Sequence, residues 1–189
     1  LLELGVALLE PDRLVVGVKG PLEGRHGIAH VILGEEGLAL PGMTIACDDS
    51  HSCSSGALNG LARGLGLADM MYALCKGQAW YMVGPTVKLI LDGNLNERVY
   101  ARDILHHIAN VYGAFPGKNL EWDGDAVAAM PMQGRFTLAT LSAELSAEFS
   151  LFRHDDILRK YLNGRASTDY EPVDPDPDAA YDEIIRIDI

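Results

Sequence analysis

Apolar positions along the chain recur at two spacings, and polar or glycine-rich turns separate the runs that carry them. Leu14 to Val18 is a β-branched run between Asp12 and Gly20 and predicts a strand. Gly27 to Leu33 fits a helix or a strand equally well. Met43-Thr44-Ile45-Ala46-Cys47 predicts a short apolar strand that runs into the polar cluster Asp48-Asp49-Ser50-His51. Ser54 to Arg63 and Leu65 to Lys76 read as two helices. The second is amphipathic through Leu67, Met70, Met71 and Leu74 and ends at Gly77 as a C-cap. Gly56, Gly60 and Gly64 would form a stripe on one face of the first, which implies close approach by another backbone. Val87, Leu89 and Leu91 alternate and predict a strand closed by the Asp92-Gly93 turn. Helical spacing returns in Ile104, Ile108, Val111 and Tyr112. It recurs in Leu138, Leu141, Leu145 and Phe149, and again in Ile157, Leu158, Tyr161 and Leu162.

Strands and helices in this order predict an α/β fold with a mixed sheet flanked by helices. A division falls near Gly84, so residues 1–84 carry the polar cluster and residues 85–167 form a second α/β subdomain. Residues 168–189 read as an acidic, proline-rich linker followed by the start of a further element, beginning near Tyr181. A rigid strand that ends in a turn rich in Asp, Ser and His is a common way for such folds to present a site.

Composition narrows the function. A chain of 189 residues, 48% hydrophobic and 22% charged, can bury a sizeable core. Its net charge of −12 argues against nucleic acid or an anionic membrane as the main partner. An anionic small molecule stays possible, because a local field can oppose the global one. No apolar run approaches the roughly 20 residues that span a bilayer. The start Leu1-Leu2-Glu3-Leu4-Gly5 has neither Met nor a basic region leading into an apolar one, so no signal peptide is expected and the chain reads as a piece of a longer one. Cys47, Cys53 and Cys75 are an odd number without C-x-x-C spacing. They read as small hydrophobic residues, not metal ligands, and the expected compartment is a reducing cytoplasm.

The densest chemistry is Asp48-Asp49-Ser50-His51, with His30 upstream and Glu144 downstream. Imidazole carries protons near neutral pH, and a carboxylate partner fixes its tautomer and raises its basicity. The same Asp and Ser would also serve as a plain helix N-cap. His26 and His154 lie in loop-like stretches and read as solvated. His106 and His107 are helical neighbours about 100° apart, poorly placed to share a metal, and one of them reads as a boundary residue. Lys76, Lys88 and Lys118 have no partner legible in the sequence. Gly64-x-Gly66 lacks the third glycine and the acid of a dinucleotide fingerprint.

Several motifs occur in an order that resembles the aconitase superfamily. They are Gly27-Ile28-Ala29-His30, Leu40-Pro41-Gly42-Met43-Thr44-Ile45, Asp49-Ser50-His51, Gly56-Ala57-Leu58, Gly64-Leu65-Gly66-Leu67-Ala68-Asp69 and Met132-Gln133-Gly134-Arg135-Phe136-Thr137-Leu138. With Tyr161-Leu162-x-Gly164-Arg165, the likeness is greatest to the large-subunit family of 3-isopropylmalate dehydratases and covers about Gly24 to Ile189. The resemblance implies an aconitase-like α/β/α domain and a hydro-lyase of amino-acid (leucine) biosynthesis. Such an enzyme isomerises a hydroxy-carboxylic acid by dehydration and rehydration, with a [4Fe-4S] cluster whose open iron polarises the leaving hydroxyl.

Carried onto this sequence, the resemblance implies that His30 with Asp49 and His51 with Glu144 are catalytic pairs. It makes Ser50 and Thr140 substrate contacts, with Glu144 one helical turn after Thr140. It also implies that the cluster cysteines lie outside this chain, that the substrate is an anionic small molecule, and that a small swivelling-domain subunit or further domains complete the site. Thr140 stands where the family usually has Asn, Asp48 replaces a generally uncharged residue, and Gly113-Ala114-Phe115-Pro116-Gly117-Lys118-Asn119 replaces a Gly-Gly-Thr-Gly segment. Two alternatives stay in view, and the Thr140 and Asp48 departures favour the first. One is a non-catalytic fragment or degenerate paralogue that acts as a binding domain. The other is a mononuclear-metal lyase built on His30, His51 and acids.

Overall fold

Two parallel sheets carry the fold in the computed structural model, which describes residues 6–8, 14–16 and 28–189. His26, residues 17 and 18 of the first predicted strand, and Gly27 lie outside the described residues. Strands β2 (Leu14–Val16), β3 (Thr44–Cys47) and β4 (Leu61–Gly64) form one sheet with β3 in the centre. Strands β6 (Thr86–Asp92), β7 (Asn119–Asp123), β8 (Ser150–Phe152) and β9 (Glu183–Asp188) form the other, in the order β8-β7-β6-β9. All neighbours within these two sheets are parallel. The antiparallel component is a separate pair, β1 (Val6–Leu8) with β5 (Trp80–Met82). The helices are α1 (Ala29–Glu35), α2 (Leu67–Lys76), α3 (Ala101–Val111), α4 (Asp125–Ala129), α5 (Met132–Leu141) and α6 (Asp156–Leu162). Among the described residues, two 3₁₀ segments, Ser50–Leu58 and Ser142–Leu145, join them.

The four-stranded sheet explains the alternation of Val87, Leu89 and Leu91. All three are fully buried with Leu120, Trp122, Ile108 and Leu138. The intervening Lys88 is also buried, because its ammonium pairs with Asp123 at 2.8 Å and Glu121 at 3.3 Å. Parallel strands are covered on both faces, and a buried cation among them requires such partners. Lys118, likewise without a partner legible in the sequence, pairs with Asp182 at 2.7 Å. The final residues are not detached from the rest: β9 lies beside β6 over six paired positions from Val87 to Asp92.

Several local expectations are overturned. Residues 54–63 do not form one helix: the chain makes the 3₁₀ segment, turns at Asn59 with φ 60°, and enters β4. Gly56, Gly60 and Gly64 therefore share no helix face. Two of them still meet backbone closely. A Cβ on Gly56 would lie 1.6 Å from the Ser150 carbonyl oxygen, and one on Gly64 would lie 2.3 Å from that of Asp49.

Helix α2 ends at Gly77 in the left-handed conformation as expected, yet its buried stripe is Met70 and Ala73, while Leu67, Met71 and Leu74 are exposed. The helix read through Phe149 stops at Leu141. The Ser142 hydroxyl donates to the Leu138 carbonyl and meets the Ser150 hydroxyl at 2.9 Å, and Phe149 leads into β8. His106 and His107 are both exposed, since Ile104, Leu105 and Ile108 take the inner face of α3. His154 is half-buried against Tyr170, with ring centroids 5.7 Å apart. The acidic, proline-rich stretch is exposed but pinned. The Asn59 amide donates to the Phe152 and Val173 carbonyls at 2.9 and 2.8 Å and accepts the Val173 N–H.

Candidate active site

The turn after β3 performs both tasks that its sequence allowed. Asp49 is the N-cap of the 3₁₀ segment, its Oδ1 accepting the His51 N–H at 2.8 Å, while the Ser52 hydroxyl donates to its carbonyl at 2.6 Å. The same Oδ1 lies 3.5 Å from His51 Nδ1 and 3.7 Å from His30 Nε2. The donated His51 N–H holds the Asp49 carboxyl below its ordinary value against the opposing effect of burial, and His30 and His51 add to the lowering. The cap orients the acid that faces both imidazoles.

His51 reaches across to the second 3₁₀ segment. Its Nε2 lies 3.0 Å from Glu144 Oε1. An ionised carboxylate only accepts, so Nε2 carries the proton and Nδ1 is left facing Asp49 and the Ser50 hydroxyl, the latter at 3.5 Å. The His30 and His51 rings meet edge to face with centroids 6.2 Å apart. His30, in the first turn of α1, is an ion-contact distance from Asp49, longer than a hydrogen bond. His30, Asp49, Ser50, His51, Thr140 and Glu144 thus come from α1, the turn after β3, the end of α5 and the second 3₁₀ segment.

Thr140 and Glu144 do not stack as one α-helical turn, because the backbone tightens to 3₁₀ at Ser142. Thr140 instead lines a cleft of about 640 Å³ with His30. Asp48 and Ser50 are exposed. Glu144 keeps 63% of its side chain exposed despite its contact with His51, which places the pair at the protein surface.

Sequence reasoning missed three residues of the cleft wall: Ser54, Tyr161 and Arg165. Ser54 is 1% exposed, and its hydroxyl has no hydrogen-bond partner among the described residues; neither has the buried Nδ1 of His30. A serine between Cys53 and Gly56 in an otherwise inward-facing stretch was the available signal. Tyr161 belongs to the apolar spacing of α6, which hides its position at the cleft.

The cysteines do not form a cluster-binding set. Cys47 and Cys53 are buried and Cys75 is exposed on α2. Cys53 Sγ donates to the Ala139 carbonyl at 3.0 Å, and burial pushes its thiol up to about 11. Among the described residues no group of three or more His, Cys, Asp and Glu side chains is arranged to hold a metal ion.

Comparison with known proteins gives the family. The model of the aconitase family (aconitate hydratase) matches residues 10–189. The chain is 44% identical over 166 residues to the 3-isopropylmalate dehydratase large subunit of Mycolicibacterium smegmatis, a match covering 88% of this chain and 39% of that protein. It is 37% identical over 168 residues to that of Caldanaerobacter subterraneus, and 33% identical over 175 residues to large subunit 1 of Methanopyrus kandleri. The chain spans 39% to 42% of the length of these curated relatives. With the family model matching nearly its whole length, this chain belongs to the aconitase family.

Proposed function

We propose that this chain is the portion of a hydro-lyase that handles protons while a hydroxy-carboxylic acid is isomerised by dehydration and rehydration. The observation that carries the reading is the 3.0 Å contact between His51 Nε2 and Glu144 Oε1 beside the Asp49 carboxylate. Relatives named as 3-isopropylmalate dehydratase large subunits support a substrate of that class and a small-subunit partner, and with them a place in leucine biosynthesis. A cytoplasmic location belongs to the same proposal. Among the described residues, no helix is long and apolar enough to cross a membrane.

The chain's own residues divide the work. Glu144 holds the proton of His51 at Nε2, and Asp49, which accepts the His51 backbone N–H, stands 3.5 Å from Nδ1. As the imidazole gains a second proton, the carboxylates on either side stabilise the charge. His30 shares Asp49 and presents its ring to the cleft, where Thr140 offers a hydroxyl to a bound hydroxy acid. A [4Fe-4S] cluster held by residues outside this chain would supply Lewis acidity toward the leaving hydroxyl. Cys47, Cys53 and Cys75 do not fit as its ligands, so no step here passes through it.

The alternative is a binding domain without catalysis. The observed contact supports the catalytic reading. The test is Glu144→Gln in the complete enzyme, which should fold normally and lower turnover on the order of 10²-fold. Near-native turnover would remove Glu144 from the machinery.

A further inference from the structure

Behind the His51–Glu144 contact runs a chain of buried hydrogen bonds that reaches back into the four-stranded sheet. Trp122 of β7 stacks on Phe152 with ring centroids 5.9 Å apart, and its Nε1 donates to the Ser150 hydroxyl of β8 at 2.8 Å. The Ser150 hydroxyl lies 2.9 Å from that of Ser142, which lies 2.8 Å from the Leu138 carbonyl. Trp122, Ser142 and Ser150 are all buried. Their protons have one consistent order. An indole N–H only donates and a carbonyl only accepts, so Ser150 accepts from Trp122 while Ser142 donates to Leu138. Ser150 then donates to Ser142, and each donor of the chain is used once.

Ser150 bears on both arms of the contact. Its carbonyl abuts Gly56 in the 3₁₀ segment that carries His51, where a Cβ would lie 1.6 Å from the oxygen. Its hydroxyl meets Ser142, the first residue of the 3₁₀ segment that carries Glu144. The far end of that second segment is fixed separately, by the Phe115 N–H donating to the Leu145 carbonyl at 2.7 Å. Glu144 stands between these two anchors with its side chain mostly exposed. An exposed ion pair gains too little to order a loose segment, so the backbone that carries Glu144 decides whether Oε1 reaches His51.

We propose that Ser150 is a positioning residue of this site: through Ser142 it sets Glu144 against His51, and Trp122 fixes the direction of its hydroxyl. The proposal rests on the reading of His51 and Glu144 as the groups that handle protons. It gives a buried strand residue control over which His51 nitrogen carries the proton. Once the Glu144 contact loosens, Asp49, 3.5 Å from Nδ1, is the competing acceptor.

Ser150→Ala removes the hydroxyl and leaves the carbonyl beside Gly56 in place. In the 189-residue chain, nitrogen NMR of the neutral His51 ring should find the proton at Nε2 in the parent and shared between Nε2 and Nδ1 in the variant. In the complete enzyme, the same substitution should lower kcat on 3-isopropylmalate roughly tenfold and leave KM within about twofold. With Glu144→Gln already present, Ser150→Ala should cost less than about twofold more, because a residue that acts through Glu144 then has nothing left to position. Ile185→Val, a core truncation in β9, supplies a loss of stability outside the chain and should move neither readout. Ser142→Ala should reproduce the effect and Ser142→Thr, which keeps the hydroxyl, should not; this pair decides the matter if Ser150→Ala does not fold. The positioning role is overturned if the His51 proton stays at Nε2, if the tenfold loss recurs in the Glu144→Gln background, or if Ile185→Val matches Ser150→Ala. A displaced His51 proton with unchanged turnover would retain the positioning role and count against the hydro-lyase reading. A His51 proton that stays in place while Glu144→Gln still loses turnover would overturn the positioning role and retain that reading.

Discussion

His51 Nε2 and Glu144 Oε1 meet at 3.0 Å across 93 residues of sequence. One belongs to a 3₁₀ segment that Asp49 caps, the other to a 3₁₀ segment that begins at the Ser142 hydroxyl. Neither position is set by the surface side chain itself. Each is set by buried backbone and hydroxyl contacts behind it, so the site responds to changes that do not touch it.

Gly56→Ala is the sharpest such change. The added Cβ would lie 1.6 Å from the Ser150 carbonyl oxygen, and backbone has nowhere to move between the 3₁₀ segment and β8. Destabilisation of at least about 3 kcal/mol is expected, since this overpacking meets backbone and not a flexible side chain. Chemical denaturation measures it. A loss below about 1 kcal/mol would show that the two segments can separate.

Ser146 and Asn59 share a left-handed backbone, with φ of 58° and 60°, and should respond oppositely to glycine. Ser146→Gly removes the strain of a Cβ in that region and should stabilise by about 0.5–1 kcal/mol. Asn59→Gly removes the same strain but also the amide that holds Phe152 and Val173, so stability should fall. Paired thermal melts decide whether the clamp outweighs the strain.

Acid should weaken the fold partly through Asp49. Its carboxyl titrates below the ordinary 3.8, chiefly because the His51 N–H donates to it. A lowered folded value means that the stabilisation is complete above pH 3.8 and disappears as pH falls through the folded value. Asp49→Asn should therefore be less stable than the parent at neutral pH and converge with it in acid. The carboxylate is 43% exposed, which keeps the difference below about 1 kcal/mol. Urea titrations at several pH values measure the convergence.

The three thiols should react in sequence. Cys75 is exposed and should be alkylated first at mildly alkaline pH. Burial pushes Cys53 up to about 11 and its Sγ is engaged by the Ala139 carbonyl, so it should be labelled only on unfolding. Mass spectrometry of a timed labelling series, with and without urea, gives the order.

The sequence by itself determined the α/β class, the strand at Thr44–Cys47, the central strand over Val87 to Leu91, and the helices around Ile104 and Leu158. The apolar run at Thr44–Cys47 is buried at every position, and Val87, Leu89, Leu91, Ile104, Ile108, Leu158 and Leu162 are buried as their spacing predicts, whereas Val111 and Tyr112 of the Ile104 spacing are exposed. It also marked His30, Asp49, His51 and Glu144, because the Asp-Ser-His turn ends a strand and family motifs flank it. Tertiary structure decided the rest. Residues 61–64 are a strand because β3 offers them a parallel partner, although their composition suits a helix. The helix through Leu138 stops at Leu141, and the Ser142 hydroxyl after it bonds to the Leu138 carbonyl and to Ser150 of β8. Ser54 and Arg165 share one cleft only after α1, α5 and α6 pack together. Local spacing records which face of an element is apolar; which distant group will satisfy a buried hydroxyl depends on contacts that only the folded chain makes.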